Sequence, residues 1–282
     1  MKVRVTSDST CDLSDELIKK YNLSILPVSV ILGDKVYHDG VDITPFDIFD
    51  YVKKTGKLPK TSATTIEEYK EFFTKELEEY DCIIHFTISS KASSCYSHAK
   101  AASEDFEGKV FVVDSYNLSS GQGLLVLKAC DLISEGKTPK ETIDIIEELK
   151  TRTNTSFVPD SLDYLHKGGR CSLASMMGAK ILKLHPLIEM KDGKLFSKRR
   201  LQGRIDVCLK QYINELSKQY TSYDKTRCFV THSNCEPEVV APIIEQVKSL
   251  FDFDEILETK AGSTVTTHCG KNTLGLLFIY NE

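Results

Sequence analysis

The chain has 282 residues, of which 41% are hydrophobic and 27% charged, a balance that supplies a buried core and excludes a disordered or collagen-like polypeptide. A formal net charge of −5 repels polyphosphate and argues against general nucleic-acid binding. The nine cysteines include no Cys-x-x-Cys pair, so reduced thiols in a cytoplasmic protein are expected rather than a zinc site or a disulfide framework.

Residues 1–6 pass directly into strand-like alternation without a secretion signal. The longest apolar runs, such as 274–280, are far shorter than the roughly 20 residues needed to span a bilayer, so no membrane span is expected. Short apolar runs at 3–6, 82–88 and 110–114 alternate with helical stretches at 15–20, 94–104 and 121–134. That rhythm predicts a parallel sheet covered by helices.

Residues 27–31 and 36–37 around Gly33-Asp34 read as a strand, a turn and a second strand, an excursion from the parallel core. Thr44-Pro45-Phe46-Asp47, Thr65-Ile66-Glu67-Glu68 and Thr138-Pro139-Lys140-Glu141 each place a hydroxyl cap three residues before an acid, the signature of a helix start. The polar stretch 152–156 interrupts both periods and marks the expected domain junction. The fold class is therefore α/β with two domains: 1–155 an N-terminal parallel-sheet domain, and 156–282 a C-terminal α+β domain with a mixed sheet. In the second, a hairpin at 186–198 turns at Asp192-Gly193, helices follow at 203–219 and 238–250, and strands lie at 228–231, near Ile256 and at 274–280.

Three hydroxyl-dense segments precede helices: Ser7-Asp8-Ser9-Thr10, Thr61-Ser62-Ala63-Thr64-Thr65 and Ser89-Ser90-Lys91-Ala92-Ser93-Ser94. At the carboxyl ends of parallel strands such loops offer amides and uncharged donors to a small anion, and equally they serve as ordinary helix caps. Asp8 reads as a structural acid. His268, within Thr266-Thr267-His268-Cys269-Gly270 and read as part of a loop, is suited to meet an acid near neutral pH, or to a structural role. His85 reads as a satisfied sheet residue. Gly121-Gln122-Gly123 suggests close helix packing. Phosphate-loop, dinucleotide, nucleophile-elbow and zinc-protease signatures do not occur. Arg199 and Arg200, with Lys198 and Arg204, and Arg170 beside Gly168-Gly169, form local positive patches that read as solvated surface or as partner contacts.

Asp8-Ser9-Thr10-Cys11-Asp12-Leu13, Lys60-Thr61-Ser62, Ser89-Ser90-Lys91-Ala92-Ser93, Ser119-Ser120-Gly121-Gln122-Gly123-Leu124, Tyr164-Leu165-His166-Lys167-Gly168-Gly169-Arg170 and His268-Cys269-Gly270 resemble, in this order, the DegV family of bacterial fatty-acid-binding proteins. The resemblance covers essentially the whole chain. It implies a long-chain fatty acid buried between two domains, with no other cofactor, presented by a non-catalytic subunit to a separate ATP-binding fatty acid kinase subunit. The acyl phosphate formed there is used in phospholipid synthesis. Carried over by position, Thr61 and Ser93 would donate to the carboxylate, Ser62 and the Ser94 amide would frame it, and His268 would close the site. Arg170, Arg199 and Arg200 would be kinase-docking residues. Departures from the family pattern occur at Ser94, where glycine is usual, at Ala63 and at Lys271. Two other functions stand beside this one: an acyl hydrolase built on Ser93, His268 and Asp114, and a lipid-sensing interaction protein.

Overall fold

The computed structural model describes residues 1–170 and 184–281. Cys171 lies outside them, and the other cysteines are free thiols. The first lobe is built on four strands, β1 (Val3–Asp8), β2 (Ser24–Leu26), β6 (Cys82–Thr87) and β7 (Val110–Asp114), all parallel in the order β2-β1-β6-β7. Every residue of β6 is buried, as its continuous apolar run requires of a strand covered on both faces. The excursion is a small antiparallel sheet of β3 (Ser29–Leu32), β4 (Lys35–His38) and β5 (Lys60–Ser62), in the order β4-β3-β5. Thr61 and Ser62 therefore lie on a strand, where the sequence suggested a loop.

Helices α1 (Asp15–Lys20), α2 (Pro45–Thr55), α3 (Ile66–Glu76), α4 (Cys95–Ser103), α5 (Ser120–Ser134) and α6 (Pro139–Leu149) surround these sheets. The capping acids close as read: the Thr65 amide donates to Glu68 at 2.7 Å, that of Thr138 to Glu141 at 2.8 Å and that of Thr44 to Asp47 at 2.9 Å.

The second lobe carries a six-stranded mixed sheet in the order β10-β9-β8-β13-β11-β12. Its strands are β8 (Thr153–Val158), β9 (Leu184–Lys191), β10 (Lys194–Gln202), β11 (Arg227–Ser233), β12 (Glu255–Lys260) and β13 (Thr273–Ile279). Only β11 and β12 pair in parallel. The β9–β10 hairpin turns on Asp192 and Gly193 at φ 49° and 76°, the two positive angles that a tight two-residue turn demands. The lobe's helices are α7 (Asp163–Lys167), α8 (Ile205–Gln219), α9 (Pro237–Leu250) and α10 (Ser263–Cys269). The last corrects the loop assigned to His268: residues 263–269 wind into a helix although its cap, Gly262, offers no side chain.

The division at 155/156 falls inside β8, which starts at Thr153 as the second sheet begins. The lobes also share a core, because α5 is buried from Ser120 to Leu127 and packs Leu124, Leu125 and Leu127 against Ile84 and Phe86 on one side and Phe229, Leu277 and Ile279 on the other. Gly121 and Gly123 allow that approach: a Cβ on Gly121 would sit 2.0 Å from Thr155 Oγ1, and one on Gly123 would sit 2.7 Å from the Cys11 carbonyl.

Candidate functional site

A cavity of about 490 Å³ lies at the seam between the lobes, within the range of small-molecule sites. Three elements shape its polar end. Strand β5 brings Thr61 and Ser62. The segment between β6 and α4 brings Ser93 and Ser94, and α10 brings His268. Arg170 lines the same end and donates to the Ala92 carbonyl at 3.5 Å, reaching from the second lobe to the first. Arg199 and Arg200 lie elsewhere, on the edge strand β10, with Arg199 paired to Glu215.

Buried acids hold the segment after β6 in shape. Asp8 accepts the Ile88 amide at 2.9 Å, the Thr10 amide at 3.1 Å and Gln122 Nε2 at 2.9 Å, which agrees with its reading as a structural acid. Burial pushes its pKa up, and these donors work against that rise. Asp114 Oδ1 accepts the amides of Ser90 at 3.0 Å and Tyr116 at 3.1 Å. Ser89 Oγ donates to the Gly193 carbonyl at 2.7 Å, joining the segment to the β9–β10 turn.

At the start of α4, Ser93 Oγ accepts the Cys95 amide at 3.3 Å and donates to Cys95 Sγ at 3.1 Å. Ser94 has φ −81° and ψ 0°, a conformation open to any residue, so the serine in place of the family's glycine introduces no backbone strain.

Thr61 Oγ1 and His268 Nε2 are 2.8 Å apart across the seam. Burial, with the Arg170 cation as a smaller cause, lowers the His268 pKa to about 4, so the imidazole is neutral at physiological pH. The polar end thus offers hydroxyls, amides and a neutral ring beside one guanidinium, an arrangement suited to a single carboxylate. The hydrolase arrangement is not assembled. Asp114 is taken up by backbone amides and His268 by Thr61, whereas a triad needs the acid on the imidazole and the imidazole on Ser93.

Val28, Ile88, Leu118, Phe157, Leu195 and Leu277 supply apolar wall from both lobes. Three of the hydroxyls interspersed there are spent inside the protein, Thr10 on Asp8 and Gln122, Ser119 on Asp12, and Thr155 on Asn117 at 2.7 Å, whereas the buried Thr264 Oγ1 has no partner. A hydroxyl already bonded presents mainly carbon to a guest. Sequence reasoning missed these wall residues, because any core Leu, Ile or Phe fits an apolar pattern equally well.

His85 departs in part from its reading as satisfied. Its Nδ1 meets Thr6 Oγ1 at 2.8 Å, but its buried Nε2 has no partner and the ring lies edge-on to Tyr69 and Phe73. Among the described residues no cluster of His, Cys, Asp and Glu is placed to hold a metal ion, and no helix is long and apolar enough to cross a membrane.

Fold and cavity together define a two-lobed α/β protein with a hydroxyl-rimmed small-molecule site at the seam. The chain belongs to the DegV family, described as uncharacterised proteins, which it matches over residues 2–281. A DegV domain-containing protein of Clostridium acetobutylicum is 31% identical over 279 residues, covering 99% of this chain and 98% of that protein. Among solved structures, a DegV family protein of Thermus thermophilus, described as binding fatty acid, superposes with a TM-score of 0.92 at 27% identity over 100% of both chains. A stearic acid-binding protein of Eubacterium ventriosum superposes with a TM-score of 0.85 at 27% identity, covering 99% of this chain and 98% of that one.

Proposed function

We propose that this protein binds a long-chain fatty acid in the seam cavity and presents its carboxylate to a separate ATP-dependent fatty acid kinase subunit, which forms the acyl phosphate for phospholipid synthesis in the cytoplasm. Thr61, Ser93 and His268 hold the carboxylate, and Ser62 with the Ser94 amide frames it. Arg170, Arg199 and Arg200 meet the kinase. Residues 1–155 contribute the hydroxyl segments and residues 156–282 close the site. The protein itself catalyses no step.

The Thr61–His268 hydrogen bond, made across the seam in the lining of the cavity, is the observation that carries this reading. It brings together one uncharged polar group from each lobe, a hydroxyl and a neutral imidazole, either of which can donate to a carboxylate oxygen once their mutual bond is exchanged. A tail of about fifteen methylenes at roughly 0.8 kcal/mol each supplies up to about 12 kcal/mol before ordering costs. Head-group hydrogen bonds add about 1 kcal/mol apiece and spare the several kcal/mol that an unpaired buried carboxylate would cost. Tail burial therefore sets affinity, and the hydroxyls set registration. The fatty-acid-binding relatives of the same fold support the ligand class.

Mass spectrometry of an organic extract of the purified protein tests the ligand, with a stoichiometric long-chain acid as the expected result. Incubation with a kinase subunit and ATP tests the presentation role. A lipid sensor would carry the acid and yield no acyl phosphate.

A further inference from the structure

Helix α10 begins without a cap of its own, since Gly262 has no side chain to accept its first amides. Those amides are taken up instead by two carboxylates from the other lobe. Gly262 N donates to Asp12 Oδ1 at 2.8 Å, Ser263 N to Asp39 Oδ1 at 2.7 Å and Thr264 N to Asp39 Oδ2 at 3.1 Å. Asp39 and Asp12 are only 4% and 6% exposed, so these bonds are made out of water. Asp39 is steadied in turn by Ser9 Oγ at 3.2 Å, and Ser9 Oγ accepts the Val28 amide at 3.0 Å, which ties the clamp to the first lobe. The fit is close: a Cβ on Gly262 would stand 3.0 Å from Asp12 Oδ1 and 3.2 Å from Asp39 Oδ1.

At the opposite end of this seven-residue helix stands His268, bonded to Thr61 of the first lobe. A rigid rod held at one end by three amide bonds has little freedom to slide or turn at the other. We propose that Asp39, assisted by Asp12, is a positioning residue for the ligand head group: by gripping the α10 amides across the seam it sets where His268 meets Thr61. This inference rests on the fatty-acid reading for its ligand, but the grip and its effect on His268 stand independently of any guest. Each carboxyl oxygen accepts an amide that the uncapped helix start would otherwise leave unpaired away from water, and that requirement strengthens such a grip. It acts on the acid head, since the tail lies against walls that α10 only partly supplies.

The test uses the full chain, delipidated, as wild type and as Asp39→Ala, with folding checked by circular dichroism. Two quantities are read: the titration of the His268 ring by NMR, assigned with His268→Gln, and the preference for palmitic acid over 1-hexadecanol. In folded Asp39→Ala, a freed α10 admits water to the ring, so the His268 pKa rises from about 4 toward its ordinary value. Preference for the acid falls about tenfold while hexadecanol binding holds. A general loss of stability would weaken both ligands alike. If either the titration or the preference stays at its wild-type value, the proposal is overturned. Should Asp39→Ala fail to fold, Asp39→Asn, which keeps the shape and loses the charge and one acceptor, is read the same way. If wild type binds neither ligand, the fatty-acid reading fails, and the His268 titration alone decides the positioning role.

Discussion

Thr61 and His268 are separated by 207 positions in the chain, yet their side chains meet at 2.8 Å. The contact joins the small antiparallel sheet of the first lobe to the last helix of the second, so the polar end of the cavity exists only when both lobes are in place. Thr61→Val keeps the volume and removes the hydroxyl. Its expected effect is a weakening of fatty-acid binding by about 1–1.5 kcal/mol, near tenfold, with the thermal transition little changed, read by isothermal calorimetry against wild type.

Ser93→Ala is expected to reduce fatty-acid retention during purification and turnover by a kinase subunit without unfolding the protein. The hydroxyl also takes the Cys95 amide at the start of α4, so a loss of about 1 kcal/mol of stability should accompany the binding defect. Unchanged lipid content and unchanged acyl-phosphate formation would sink its assignment to the head-group site.

Ser94→Gly separates a family pattern from a physical requirement. With Ser94 at φ −81° and its side chain making no capping bond, glycine gains no strain relief. The variant should match wild type in unfolding free energy from denaturant titration to within about 0.5 kcal/mol, and in fatty-acid affinity.

Gly123→Ala should be strongly destabilising, because the new Cβ would lie 2.7 Å from a backbone carbonyl and 2.8 Å from Leu13 Cδ2. The carbonyl of Cys11 has no rotamer in which to retreat, so a loss of about 1–3 kcal/mol in urea unfolding is expected. A neutral result would show that α5 can shift away from the first lobe.

His85 gives a pH dependence with a definite sign. Burial among aromatic rings lowers its pKa to about 3, so the folded state keeps it neutral where the unfolded chain, titrating near 6.5, binds a proton. Between those values the unfolded state holds more protons, and stability falls as pH drops, by about 1.4 kcal/mol per unit for this group. The buried Asp8 and Asp12, with raised pKa values, act in the opposite sense: their neutral forms are favoured in the fold, and their contribution is lost as pH rises through the folded pKa. His85→Phe should therefore flatten the acid side of the profile relative to wild type in chemical denaturation from pH 6.5 down to 4. Parallel slopes for the two proteins would contradict a neutral buried imidazole.

From the sequence alone, much of the local architecture was already determined. Three capping boxes, the Asp192-Gly193 turn and the unbroken apolar run of β6 are short-range signals whose meaning does not depend on the rest of the chain. So are Gly121 and Gly123, whose missing side chains announce a close approach before its partner is known. Tertiary structure alone decided what lay beyond that range. Helix α10 was invisible because its cap comes from Asp12 and Asp39, more than two hundred residues upstream. Thr61 reached His268 through an edge strand only three residues long, and the cavity walls were chosen among many equivalent apolar positions by how the two sheets pack about α5. Local chemistry fixes dihedral angles and hydrogen bonds within a few residues, whereas a binding site at a seam is made by groups whose proximity has no trace in their spacing along the chain.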